Sequence, residues 1–170
     1  MSGLDDTRIF SAAHAPRHIG AQGELHEVVP STMDLARRRC DEGAEDGYVV
    51  LADHQSAGRG RTGGWQCPPG LGVLMSVVLR LGVPSTRQHL VVSMAAVAGV
   101  EALRGLGVNA SIKWPNDIVV ADERNGGLTV RKLGGLIVER VQPADGPASH
   151  ILGMGLNVNG RGFPAEIASI

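Results

Sequence analysis

The segment SIKWPNDIVVADERNGGLTVRKLGGLIVERVQPADGPASHILGMGLNVN, residues 111–159, decides the fold. It divides into four β-prone runs: SIKW (111–114), DIVVA (117–121), TVRKLGGLIVERV (129–141) and HILGMGLNVN (150–159). β-Branched residues of this kind fit a pleated, half-buried surface. Two turn signals, RNGG at 124–127 and ADGP at 144–147, punctuate the later runs and read as hairpin connections. The expected class is therefore α+β: a mixed, largely antiparallel sheet flanked by helices, with the helices on one face. A doubly wound nucleotide fold is excluded by the same hairpins.

Upstream, the longest helix is expected at 85–107, with Leu90, Met94, Val97, Val100 and Leu103 at helical spacing. LGVLMSVVLRL (71–81), YVVLADH (48–54) and ELHEVV (24–29) read as strands. Between the last two lies STMDLARRRCDEG, in which Ser31 is a good N-cap, Asp34 stands three residues on as in a capping box, and Gly43 falls past the end. Residues 1–22 lack periodicity and are expected to form a flexible lead-in, leaving 23–170 as one domain. The last run, FPAEIASI (163–170), starts like a helix.

Composition narrows the function classes. A chain of 170 residues, 43% apolar, can bury a real core, and it contains no uninterrupted apolar run of membrane-spanning length. The formal net charge of −1 argues against a broad nucleic-acid surface, and 3% aromatic residues leave no stacking platform for single strands. Cys40 and Cys67 form no disulfide or metal-ligand pattern, and the six histidines show no ligand spacing, so no protein metal site is expected. With no apolar core of a signal peptide, a cytoplasmic setting is expected.

Four stretches carry candidate chemistry. DHQSAGRGRTGGWQCPPG (53–70) places Arg59 and Arg61 among glycines directly after a buried strand. Glycine costs order, and arginine offers a forked, permanent cation, so the loop suits ordering around an anion; the alternative is a solvated surface loop. It is not a Walker A sequence. KWPND (113–117) is a rigid polar corner in which Lys113 is a point charge for phosphate or carboxylate, or else a strand-end lysine beside an ordinary turn. In RKLGGLIVE (131–139), Gly134 and Gly135 interrupt a strand, which signals a bulge or a close approach of ligand to backbone. GMGLNVN (153–159) lacks the third glycine and the helix of a dinucleotide fingerprint, and small residues lining a pocket, with Asn157 at the strand end, fit it better.

Taken together and in this order, STMDLA, QSAGRGRTGGW, KWPND, RKLGGLIVE and GMGLNVN resemble the catalytic domain of biotin protein ligases over roughly residues 25–170. The resemblance implies a fold shared with lipoate ligases, octanoyl transferases and class II aminoacyl-tRNA synthetases. It implies that biotin and ATP, with Mg²⁺, form biotinyl-5′-adenylate, and that biotin then passes to one lysine of a biotin carboxyl carrier domain. By the same resemblance Ser31, Thr32 and Gln55 contact biotin, and Arg59, Gly60 and Arg61 belong to a lid over biotin and adenylate. Lys113 bridges the biotin carboxylate and the phosphate. Asn116 and Asp117 shape the nucleotide and Mg²⁺ side, while Lys132, Gly135 and Asn157 lie near the ligand. Trp65 anchors the loop's far end, or else packs in the core.

Met33 stands where the family usually has asparagine; a polar ligand group left unpaired there costs roughly 1–3 kcal/mol. The loop is one residue shorter than usual before Trp65. The family's catalytic domain normally continues past GLNVN with further helices and often a small β-barrel domain, so this chain resembles a shortened member. An uncovered apolar face makes self-association, a homodimer, a further expectation. No winged helix precedes the domain, so DNA binding is not expected, nor is a membrane. A lipoate- or octanoate-transferring relative and a non-catalytic biotin-binding module are the competing readings.

Overall fold

The computed structural model describes residues 18–124, 127–142 and 148–159. Among these residues seven strands form one sheet: β1 (Gly23–Val29), β2 (Val49–Gln55), β3 (Gly72–Leu79), β4 (Ala110–Lys113), β5 (Asp117–Arg124), β6 (Gly127–Val141) and β7 (Ser149–Asn157). Their spatial order is β1-β2-β3-β7-β6-β5-β4. Only β1 and β2 run parallel; every other neighbouring pair is antiparallel. The mixed, largely antiparallel α+β sheet read from residues 111–159 is what the chain builds. Arg124 pairs with Gly127 across the expected RNGG turn, whose two central residues lie outside the described ones. The ADGP turn, residues 1–17 and the run 163–170 also lie outside them.

Two helices among the described residues pack on this sheet, α1 (Thr32–Asp41) and α2 (His89–Gly105), the second preceded by a short 3₁₀ turn at Ser85–Arg87. Here the structure corrects the expectation of one helical face. Met33, Ala36 and Cys40 of α1 pack with Val50, Val78 and Ile151, whereas Val91, Ala95, Ala96 and Val100 of α2 pack with Val49, Val77, Leu79 and Leu152. Adjacent residues of β2, β3 and β7 thus serve different helices, and strand side chains alternate between faces. One helix covers each side.

The inward face of α2 matches its spacing only at Val100 and Leu103, which pack in or against the core. Leu90, Met94 and Val97 are about half exposed, and the buried residues are Val91, Ala95, Ala96, Gly99 and Val100. Small residues win the inward positions because they let the helix axis approach the sheet: a Cβ on Gly99 would already stand 2.9 Å from Ile118 Cδ1. Helix α1 ends as expected, with Gly43 just past the C-cap at φ +93, the left-handed region that glycine enters without strain.

Residues 18–22, expected in the flexible lead-in, are hydrogen-bonded instead. Gly20 N donates to Gly47 O at 2.8 Å, His18 Nε2 lies 2.8 Å from Asp46 Oδ2, and Gln22 Nε2 donates to Glu45 Oε2 at 3.2 Å.

Candidate functional site

Strand register clears a patch of sheet beside the N-terminus of α1. Gly135 pairs with Gly155 and Ile137 with Gly153, so three glycines adjoin on the α1 face of β6 and β7. The three differ in how strictly they must be small, Gly155 most of all. A Cβ on Gly155 would lie 2.4 Å from Trp65 Cε2, one on Gly135 3.3 Å from Trp65 Cζ3, and one on Gly153 2.7 Å from Met33 Sδ. The indole of Trp65 lies directly on this bare backbone. Glycine in RKLGGLIVE and GMGLNVN therefore makes room, as a strand glycine at a close approach should.

The wall on the α1 side carries hydroxyls and an amide. Ser31, Thr32 and Met33 are all buried. Gln55 Oε1 accepts from Thr32 N at 2.7 Å and from Thr32 Oγ1 at 2.9 Å, and Thr32 Oγ1 lies 2.8 Å from Ser76 Oγ. Ser31 holds the N-cap position, but its side chain makes no capping bond, so the predicted capping box does not form. Asp34 is used elsewhere: Oδ1 accepts from Arg59 Nη1 at 2.7 Å.

The opposite wall is the glycine–arginine loop. It is less free than its composition suggested, for Trp65 N donates to Gly58 O at 2.9 Å and Gly60 N to Gly63 O at 2.6 Å, closing a small hairpin. The two arginines differ. Arg59 also reaches Glu139 Oε1, at 3.4 Å, and its hydrogen bond to Asp34 holds the guanidinium's pKa above the ordinary arginine value. Arg61 is exposed and lines the cavity.

Lys132 closes the cationic end. Its Nζ lies 2.7 Å from Asp117 Oδ1 and 5.7 Å from the Trp65 ring centroid, a cation–π distance. The register explains how it gets there. Val119 pairs with Lys132 but Ile118 with Gly134, leaving Leu133 as an extra residue in β6. In a regular strand residues three apart face opposite sides; the bulge lets Lys132 and Gly135 face the same cavity. Asn116 is held at the bend by Leu136, whose carbonyl accepts from Asn116 Nδ2 and whose N–H donates to Asn116 O, both at 2.9 Å.

A cavity of about 260 Å³ gathers Ser31, Thr32, Met33, Gln55, Arg59, Gly60, Arg61, Trp65, Asn116, Asp117, Lys132 and Gly135. A second cavity of about 520 Å³, lined also by Trp114 and Glu139, shares Gly60, Arg61 and Asn116 with the first. Two candidate residues stand apart. Lys113 is exposed on the edge strand β4 and lines neither cavity. Asn157 is buried, with Oδ1 unpartnered among the described residues, and also lines neither. Sequence reasoning missed Ser76 and Glu139. The signal for Ser76 was a lone hydroxyl in the apolar strand VLMSVVL; for Glu139 only the register with β7 could have supplied one.

Among the described residues no cluster of three or more His, Cys, Asp or Glu side chains could hold a metal ion, and no helix is long and apolar enough to cross a membrane.

Sheet, glycine platform and loop together enclose one cavity between the N-terminus of α1 and the glycine–arginine loop. The chain belongs to the biotin/lipoate A/B protein ligase family, whose model matches residues 25–159. It is 38% identical over 149 residues to the bifunctional ligase/repressor BirA of Bacillus subtilis, covering 85% of this chain and 43% of that protein. It is 34% identical over 134 residues to the biotin–[acetyl-CoA-carboxylase] ligase of Mycobacterium tuberculosis, covering 75% and 46% respectively. The chain thus spans less than half the length of these relatives. Among solved structures, the biotin protein ligase of Aquifex aeolicus in complex with biotin and ATP superposes with a TM-score of 0.63 at 30% identity, over 86% of this chain and 56% of that one. The fold is that of biotin protein ligases, which resembles class II aminoacyl-tRNA synthetases.

Proposed function

We propose that this chain carries the ligand-activating site of a biotin protein ligase. A biotin carboxylate oxygen attacks the α-phosphorus of ATP, the bond from that phosphorus to the bridging oxygen of the β-phosphate breaks, and pyrophosphate leaves. The amine of a lysine on a carboxyl carrier domain then attacks the acyl carbon of biotinyl-5′-adenylate, and AMP leaves. The observation that carries the reading is the convergence of Lys132 and the glycine–arginine loop on one cavity whose other end is lined by the Thr32 and Gln55 polar groups. Family membership and the relatives' names support it.

Roles follow from position. Thr32, Ser31 and Gln55 orient the polar ring of biotin, while Met33 and the bare glycine backbone enclose apolar atoms. Lys132 takes the role of bridging carboxylate and phosphate that the resemblance alone gave to Lys113, because Lys132 lines the cavity and Lys113 does not. Arg61 adds charge at the mouth, where negative charge develops on the phosphoryl oxygens. ATP would bring Mg²⁺ with it, and Asp117 and Asn116 would be the nearby oxygen donors to that ion. The second cavity, continuous in residues with the first, takes the part of the nucleotide that 260 Å³ cannot hold.

The test is ATP–pyrophosphate exchange in the presence of biotin or, in parallel, lipoate, comparing Lys132→Ala with Lys113→Ala. Exchange with biotin is expected, with a roughly 10²–10³-fold loss of rate in Lys132→Ala, the scale of removing one transition-state contact. Lys113→Ala should stay within a few-fold of the parent. Exchange with lipoate and not biotin overturns the substrate assignment, and a folded chain silent with both overturns the activity.

A further inference from the structure

The loop arginine nearest the helix is already occupied. Arg59 lines the cavity, yet its guanidinium spans two carboxylates from separate elements, Asp34 in the first turn of α1 and Glu139 on β6. The two contacts are unequal, 2.7 Å to Asp34 and 3.4 Å to Glu139. Glu139 also lines the second cavity beside Arg61, so its carboxylate stands at the junction of the two. With Arg61 in the same mouth the charges there stand at two positive against two negative, and the two carboxylates leave Arg59 no unpaired charge to offer a triphosphate. All three side chains are between one-third and just over one-half exposed, which makes these pairs weak and exchangeable.

We propose that Glu139 is a positioning residue that holds Arg59 in a resting position and releases it to an incoming anion, so that the carboxylate and the ligand phosphate compete for one guanidinium. Asp34, the shorter contact, keeps the loop hairpin moored to α1 while the exchange occurs. The proposal rests on the anionic-ligand reading of the cavity and adds a regulated step to it. Glu139 acts through Arg59 and touches no reacting atom.

Two measurements separate its failure from failure of that reading. The first needs no ligand: amide hydrogen exchange of the peptide covering residues 58–65 in the parent, Glu139→Gln and Asp34→Asn. Releasing one exposed ion pair should speed exchange of the hairpin amides by about two- to fivefold in Glu139→Gln, and at least as much in Asp34→Asn. The second is pyrophosphate exchange with biotin, varying ATP. Glu139→Gln should lower the KM for ATP about two- to fivefold with kcat little changed, because the competitor for Arg59 is gone. Glu139→Asp, which keeps the charge on a shorter arm, should fall between the two.

Unchanged loop protection in Glu139→Gln overturns the clasp whatever the ligand. Faster loop exchange with a raised KM for ATP shows that Glu139 builds the productive loop, and overturns the competition. In a chain without exchange activity, the same comparison is read from binding of ATP alone: tighter binding to Glu139→Gln supports the competition, and equal or weaker binding overturns it.

Discussion

Replacing Gly155 by alanine adds one methyl group at the point where the platform meets the indole. The new Cβ would stand 2.4, 2.6 and 2.8 Å from Cε2, Nε1 and Cζ2 of Trp65. Carbon atoms rest at about 3.5–4.0 Å, so the ring must rise by roughly 1 Å or more. The strand cannot yield instead, because Gly155 is paired with Leu74 on one side and Gly135 on the other. Trp65 ends a surface hairpin and is only half-buried, so the cost to stability should be about 1 kcal/mol, at the low end of the overpacking range. Function should suffer more. Lifting the ring disturbs the Lys132 contact at 5.7 Å and the cavity it borders, and a displacement of that size is worth up to about 100-fold in rate. The assay pairs thermal unfolding followed by far-UV circular dichroism with pyrophosphate exchange. Gly153→Ala is the internal control, since its Cβ meets the unbranched Met33 side chain, which can change rotamer. A Gly155→Ala protein with parental exchange rate, or one no worse than Gly153→Ala, would refute the claim that the indole on bare backbone sets the site.

Three more outcomes are expected. Thr32→Val leaves Ser76 Oγ without a partner and removes one of the two donors to Gln55 Oε1; chemical denaturation should show a loss of about 1–3 kcal/mol, and biotin binding should weaken. Val97→Lys on the exposed side of α2 should change stability by no more than about 0.5 kcal/mol, whereas Ala96→Leu, at a fully buried position, should cost about 1–3 kcal/mol or more by urea titration. His150 is wholly buried with neither ring nitrogen partnered among the described residues, and burial, helped by Arg140, holds its pKa below the ordinary 6.5. The unfolded chain then binds a proton that the native one refuses, so stability should fall as pH drops through about 6.5, and His150→Leu should flatten that slope in denaturant midpoints measured from pH 7.5 to 5.

Sheet class was legible because hairpin spacing and β-branched runs are local signals, and residues 111–159 carry both. The side on which each helix lies was not. It depends on the parity with which β2, β3 and β7 present alternate residues, and Val49 and Val50 look equivalent in one dimension. Helix α2 defeated periodicity for a related reason: it is apolar on nearly every side, so Leu90, Met94 and Val97 satisfy helical spacing as well as Val91, Ala95 and Val100 do. Closeness of packing decided, and it favours alanine and glycine over leucine. Composition and position alone pointed to Arg59, Arg61 and Gly135, while Ser31, Thr32, Gln55 and Lys132 came only through the resemblance carried by five motifs in order. The lysine was harder. Lys113 and Lys132 sit on strands separated only by β5, and the choice turns on one unpaired residue, Leu133, that no spacing rule announces.

Over the row of Gly135, Gly153 and Gly155, the layer that strand side chains would otherwise form is supplied from outside the sheet, by the Trp65 indole and Met33. A bound ligand would pack against that borrowed layer and hold it in place. Occupancy and folding are then two readings of one equilibrium: a ligand at 100 times its dissociation constant raises the unfolding free energy by about 2.7 kcal/mol. A cell short of the ligand would hold less of this protein, and not merely less of its product.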